Sequence, residues 1–159
     1  MDGCLACDLA EGRRELPGGR VAETAHWLVE HCVGPLGLGA MVVKPRRHVL
    51  HVWELTAEES AELGPLLART AAVARALVDP AQVYVCLWSH AGWEPVHLHF
   101  VVQPVAGALR ERHAKPGPFL QADMFRDGHP PDATAVAALC ERARAMWPRV
   151  DLRPGATDD

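Results

Sequence analysis

No run of apolar residues in this chain approaches the roughly 20 needed to cross a bilayer. The opening Met1-Asp2-Gly3-Cys4 lacks a basic stretch followed by an apolar one, the pattern of a secretory leader. The expectation is a cytoplasmic protein with no membrane partner. Charge of one sign is also scarce: the formal net charge is −4 and the sequence pI about 6.1. That balance argues against binding to nucleic-acid polymers or to anionic membrane surfaces. There is no internal repeat, and no low-complexity segment beyond a mildly Ala-rich C-terminal third. Cysteine is sparse and odd in number, five in all, with Cys32, Cys86 and Cys140 scattered singly. This usage fits a reducing compartment and confines any paired role to Cys4 and Cys7. What remains is 159 residues, 49% hydrophobic and 23% charged, most simply a single domain spanning residues 1–159 with a hydrophobic core of its own.

Short strand patterns occur at Val21–Thr24, Trp27–His31 and Ala40–Lys44, the last halted by Pro45. Thr56 followed by Glu59 is a capping-box signature for a long helix, with Leu63, Leu66, Leu67, Ala71, Ala74, Leu77 and Val78 on one face. Gly64-Pro65 inside it is expected to kink the helix or split off its first turn. Two further strands are expected at Val83–Trp88 and Val96–Gln103, joined by the loop Ser89–Pro95. Residues 105–131 read as irregular, and a last helix runs from an Asp132 cap to Trp147, stopped by Pro148. Strands on both sides of one long helix, with short connections, give an α+β fold: an antiparallel five-stranded sheet with the long helix and the C-terminal helix packed on it.

The stretch Pro95-Val96-His97-Leu98-His99-Phe100-Val101-Val102-Gln103 carries two imidazoles one residue apart in a β-branched run. Strand alternation sends His97, His99, Val101 and Gln103 to one face and Leu98, Phe100 and Val102 to the other. Either the two rings are hydrogen-bonded core residues, or the strand presents them for chemistry. Cys4-Leu5-Ala6-Cys7 is likewise open to several readings: half of a zinc site, a thiol-redox pair, or two unrelated small residues. A closed zinc site needs four ligands. His48, just past the third strand, and His97 are the candidates to complete it.

Together, the N-terminal Cys-x-x-Cys, the strand ending in Val-Val-Lys-Pro-Arg-Arg-His, the capped Leu55-Thr56-Ala57-Glu58-Glu59 and the His-x-His strand resemble the histidine triad family over about residues 3–105. The resemblance implies a small homodimeric α+β protein, a hydrolase or transferase acting on the α-phosphorus of a nucleotide. It further implies a structural zinc ion on Cys4, Cys7, His48 and His97, as in the family's zinc-containing branch. The middle histidine of the family motif, the nucleophile, falls on His99. A neutral imidazole can attack phosphorus and form a nucleotidyl-histidine, provided its other ring nitrogen donates to a backbone carbonyl. Donors to the phosphate oxygens are then expected from the backbone around Ser89 to Gly92 and from the Ser89 side chain.

Three departures from the family pattern stand out. Val101 replaces the third motif histidine. Related branches carry glutamine there, and Gln103 is the candidate substrate contact, although it lies one pleat, about 6–7 Å, further along. Gly92-Trp93-Glu94-Pro95-Val96 stands where the family has Gly-Gln-Ser-Val, so the serine that serves the leaving group is missing. The expected ribose-binding acid falls near Cys32. These changes leave open a second function, a phosphometabolite- or nucleotide-binding module that has lost turnover, beside the hydrolase and the thiol-redox readings.

Overall fold

The computed structural model describes residues 3–87, 97–112 and 116–149. Its centre is an antiparallel five-stranded sheet made of β1 (Arg20–Glu23), β2 (Trp27–His31), β3 (Met41–Pro45), β4 (Gln82–Leu87) and β5 (Phe100–Val105), in the order β1-β2-β3-β5-β4. The α+β class and strand count expected from the sequence are therefore observed. Around the sheet lie α1 (Leu5–Ala10), α2 (Ala57–Val78), α3 (Gly107–Arg112), α4 (Pro118–Asp127) and α5 (Ala133–Met146).

Alternation along the strands sorts the side chains onto two faces. Trp27, Val29, Met41, Val43 and Val102 share one face. There they meet Leu66, Val73, Ala74 and Leu77 of α2 and Val136, Leu139, Cys140 and Ala143 of α5 in the main core. The opposite face is more polar. It carries the buried Glu30, Lys44 and Gln103 beside Val101 and Val105, and α4 covers part of it through Leu120 and Met124.

The capping box opens α2 as expected: Thr56 Oγ1 accepts from the Glu59 N–H at 3.2 Å, and Glu59 Oε2 accepts from the Thr56 N–H at 2.8 Å. The first turn is not split off at Gly64-Pro65: α2 runs unbroken for 22 residues. Both residues are exposed, so the carbonyl left without its N–H partner lies on the solvent side. Residues 105–131 are not irregular either. Pro118 takes the first position of α4, where its missing N–H costs nothing, and Leu120 and Met124 at i, i+4 supply the buried face. The C-terminal helix is capped as read, with Asp132 Oδ1 accepting from the Ala135 N–H at 3.0 Å. No helix among the described residues is long and apolar enough to cross a membrane.

Candidate metal centre and adjacent histidine

The expected strand Val96–Gln103 begins later, at Phe100, so His97 and His99 lie just before β5. Residue 98 is bound elsewhere: the Leu98 N–H donates to the Val49 carbonyl at 2.7 Å. That bond lays the segment carrying His97 beside the one carrying His48. The two rings meet edge to face, with centroids 5.2 Å apart. His48 is itself placed by its neighbours. Pro45 ends β3, and Arg47 is clamped to Glu59 of α2 through Nε to Oε1 at 2.6 Å and Nη2 to Oε2 at 2.8 Å.

The two thiols come from the start of α1. Cys4 is its N-cap and Cys7 lies one turn on, a spacing that puts both sulfurs on one side of the helix. Cys4, Cys7, His48 and His97 thus converge, with one ligand atom from each all within 4.8 Å of one another. Cys4 Sγ is 3.6 Å and Cys7 Sγ 3.5 Å from His97 Nδ1, and Cys7 Sγ is 3.4 Å from His48 Nδ1. A tetrahedral ion with Zn–S near 2.3 Å and Zn–N near 2.05 Å sets neighbouring sulfur and nitrogen ligands about 3.5 Å apart. The donor set and its spacing fit such an ion. The outer contact fits as well: His97 Nε2–H donates to the Pro45 carbonyl at 3.1 Å, which leaves the Nδ1 lone pair facing the thiols.

Burial pushes the His97 imidazole down to about 4, so the ring is neutral at physiological pH, as a ligand must be. Burial and the neighbouring Cys4 push the Cys7 thiol up to about 11. A metal ion entering this site would therefore displace a proton from Cys7.

His99 is half-buried. Its Nδ1–H donates to the backbone carbonyl of His97 at 2.9 Å, which assigns the ring's lone pair to Nε2. Val101 is only 2% exposed, packed with Leu36, Ala40 and Cys32 in a small apolar cluster. Gln103 is fully buried beneath α4, its amide nitrogen 3.5 Å from Met124 Sδ. Ser89 and Gly92 lie outside the described residues, as do Trp88, Trp93 and Glu94.

Two side chains near the cluster carried no role in the sequence reading. Lys44 and Glu30, both buried, form an ion pair at 2.6 Å, and Lys44 Nζ also donates to the Ala6 carbonyl at 2.9 Å. The available signal was a lysine at an inward-facing strand position four residues before His48.

No family model matches the chain, and no curated protein is significantly similar to it in sequence. Its fold is that of solved histidine triad structures. A zinc-bound histidine triad family protein from Mycobacterium smegmatis superposes with a TM-score of 0.69 at 18% identity, covering 94% of this chain and 98% of that one. A hypothetical histidine triad nucleotide-binding protein from Sulfolobus tokodaii gives 0.70 at 18% identity, covering 92% and 93%. A HIT-like protein from Bartonella henselae, described as involved in cell-cycle regulation, gives 0.70 at 14% identity, covering 91% and 96%.

Proposed function

We propose that the protein is a zinc-stabilised hydrolase or nucleotidyl transferase of the histidine triad type, with His99 as nucleophile toward the phosphorus of a small phosphorylated substrate, a nucleotide by preference. The observation that carries this reading is the 2.9 Å bond from His99 Nδ1–H to the His97 carbonyl. It supports the tautomer that carries its lone pair on Nε2, the form a nucleophile needs. In the proposed reaction Nε2 forms a bond to phosphorus as the bond from phosphorus to the leaving oxygen or nitrogen breaks, and the leaving group takes up a proton. Water or another acceptor then displaces the imidazole and regenerates the ring. The metal's contribution is structural. Cys4, Cys7, His48 and His97 would hold zinc, fixing His97 and hence the carbonyl that orients His99.

The zinc-bound neighbour and the fit of the four ligand atoms support the cofactor assignment. The neighbours' common fold supports a site of nucleotide type. Ser89 and Gly92 are proposed as donors to the phosphate oxygens. The burial of Gln103 tells against direct substrate contact while α4 covers it. A homodimer through β4, the outer strand of the sheet among the described residues, is proposed as well: Val85 and Leu87 are exposed there, 44% and 45%. A reducing cytoplasm, which keeps Cys4 and Cys7 as thiols, is the proposed setting.

The test is an adduct chase. Protein is incubated with an α-labelled nucleotide phosphoramidate or dinucleoside polyphosphate, and an acid-labile covalent label is sought. Wild type should accumulate it and His99→Ala should not; equal labelling would remove His99 as nucleophile. The packing of Val101 among Leu36, Ala40 and Cys32 favours a second reading, a binding module without turnover. Thermal stabilisation by the nucleotide, with no product after long incubation, would select it.

A further inference from the structure

Lysine is rare in this chain: Lys44 and Lys115 stand against fourteen arginines. One of the two is buried, with Lys44 only 1% exposed beside a Glu30 that is 2% exposed. A buried ion pair of this kind adds little or nothing to stability compared with two apolar side chains of similar size. This pair is not even fully satisfied, because Glu30 Oε1 is buried with no hydrogen-bond partner among the described residues. Stability is therefore a poor reason for its presence.

Its reach is a better one. Lys44 Nζ leaves the sheet and donates to the carbonyl of Ala6, the residue before Cys7 in the Cys-x-x-Cys stretch. The helix it meets needs such support. At six residues α1 is far too short to be stable alone, and its Cys4 cap makes no side-chain capping bond. Its buried residues Cys4, Ala6 and Cys7 form a small cluster apart from the main core. Arg20 holds the other end, donating to the Ala10 carbonyl at 3.0 Å, beyond the two thiols.

We infer that Lys44 is a positioning residue for the metal site: its bond to Ala6 docks α1 so that Cys4 and Cys7 face His48 and His97 before a metal ion arrives. This rests on the zinc reading above. Charge is not the reason for the lysine. A divalent ion with two thiolates and two neutral imidazoles is already neutral, and Glu30 cancels the ammonium. A long stem ending in a compact group with three donors reaches both Glu30 and Ala6, which no apolar residue could do.

The test compares wild type with Lys44→Met/Glu30→Met, which removes both charges together, so that the only polar group to lose its partner is the Ala6 carbonyl under test. Zinc dissociation constants are read by chelator competition, and thermal midpoints are read on the metal-free proteins. The expected result is an unchanged or raised midpoint with zinc affinity reduced at least about tenfold, the scale of lost outer-shell support. Affinity within about threefold of wild type would overturn the inference while leaving the zinc reading intact. A wild type that takes up no zinc would overturn both. Should the double variant not fold, metal-free wild type is treated with an amine-acylating reagent, with Lys115 as the internal reference. Lys44 should react at least about tenfold more slowly than in the denatured chain, and equal rates would sink the proposal.

Discussion

His97 turns its Nε2–H toward the Pro45 carbonyl at 3.1 Å, and in doing so presents Nδ1 to the sulfurs of Cys4 and Cys7 at 3.6 and 3.5 Å. One ring thus connects the end of β3, the N-terminal helix and, through its backbone carbonyl, the ring of His99. If a metal ion completes this junction, its removal has two consequences. Stability falls, because an ion held at a thousand times its dissociation constant contributes about 4 kcal/mol. For a chain of this length that corresponds to a midpoint lower by about 8–16 °C. Adduct formation at His99 slows in parallel, because the carbonyl that sets its tautomer is no longer held. Dialysis against a strong chelator followed by zinc add-back, read by scanning calorimetry and by labelling, checks both. A midpoint indifferent to chelator and to zinc would count against the metal.

Glu59 is the other support of the site, since its carboxylate grips Arg47 next to His48. The Arg47 guanidinium holds that carboxyl below the usual carboxylate range, assisted by the Thr56 N–H and opposed by burial. With the folded value below the unfolded one, the group's contribution is complete above the unfolded value near 4.3. It is lost as pH falls through the depressed folded value. Glu59→Gln should cost about 1.5–3 kcal/mol at neutral pH and flatten the acid limb of the stability curve below about pH 4. Urea denaturation across pH 3–7 measures this. An acid limb of unchanged steepness in the variant would show that the destabilisation on acidification comes from other carboxylates.

The local signals in the chain were faithful where they rest on backbone chemistry. Thr56 with Glu59, Asp132 as a cap and Pro45 as a strand stop all act as their residue types dictate. Proline is harder to read. Pro65 does not split α2, because it sits on the exposed side of a helix fixed by its other face. Residues 105–131 look irregular in sequence, yet Pro118 among them stands at a helix start. The convergence of Cys4, Cys7, His48 and His97 was legible through the family resemblance, the Cys-x-x-Cys spacing by itself marking only the two thiols. The Lys44–Ala6 contact was not, since one partner is a main-chain carbonyl and carbonyls leave no mark in a sequence. The late start of β5 escaped for a similar reason: the bond from Leu98 N–H to the Val49 carbonyl depends on which segment lies alongside.

The edge of the sheet offers a prediction about assembly. Among the described residues β4 pairs only with β5, and Val85 and Leu87 point to the same side of it while remaining exposed. Apolar residues on an open edge invite pairing with another strand. Wild type should run at twice its 17.3 kDa mass, and Val85→Lys/Leu87→Lys should run as a monomer with its circular dichroism retained. Light scattering coupled to size-exclusion chromatography decides the matter. A monomeric wild type would remove the dimer, whereas a dimeric double variant would move the interface away from this edge.

A histidine at residue 101 tests the proposed histidine-triad reading of the site. Val101 sits where a third imidazole would come, but its neighbours Leu36, Ala40 and Cys32 are apolar or nearly so and its exposure is 2%. An imidazole there would lose water without gaining a hydrogen-bonding partner from that cluster, a cost of about 1–3 kcal/mol. The larger ring would also strain the close packing. Val101→His should therefore lower the thermal midpoint by about 2–12 °C and leave the rate of adduct formation at His99 no higher than in wild type. This position has been given over to packing, so its new occupant would be walled off from substrate. A variant with an undiminished midpoint and labelling raised tenfold or more would reverse that conclusion. It would mean that space for an imidazole opens beside His99, and that the chain lacks a single side chain of the full motif rather than the pocket to receive it.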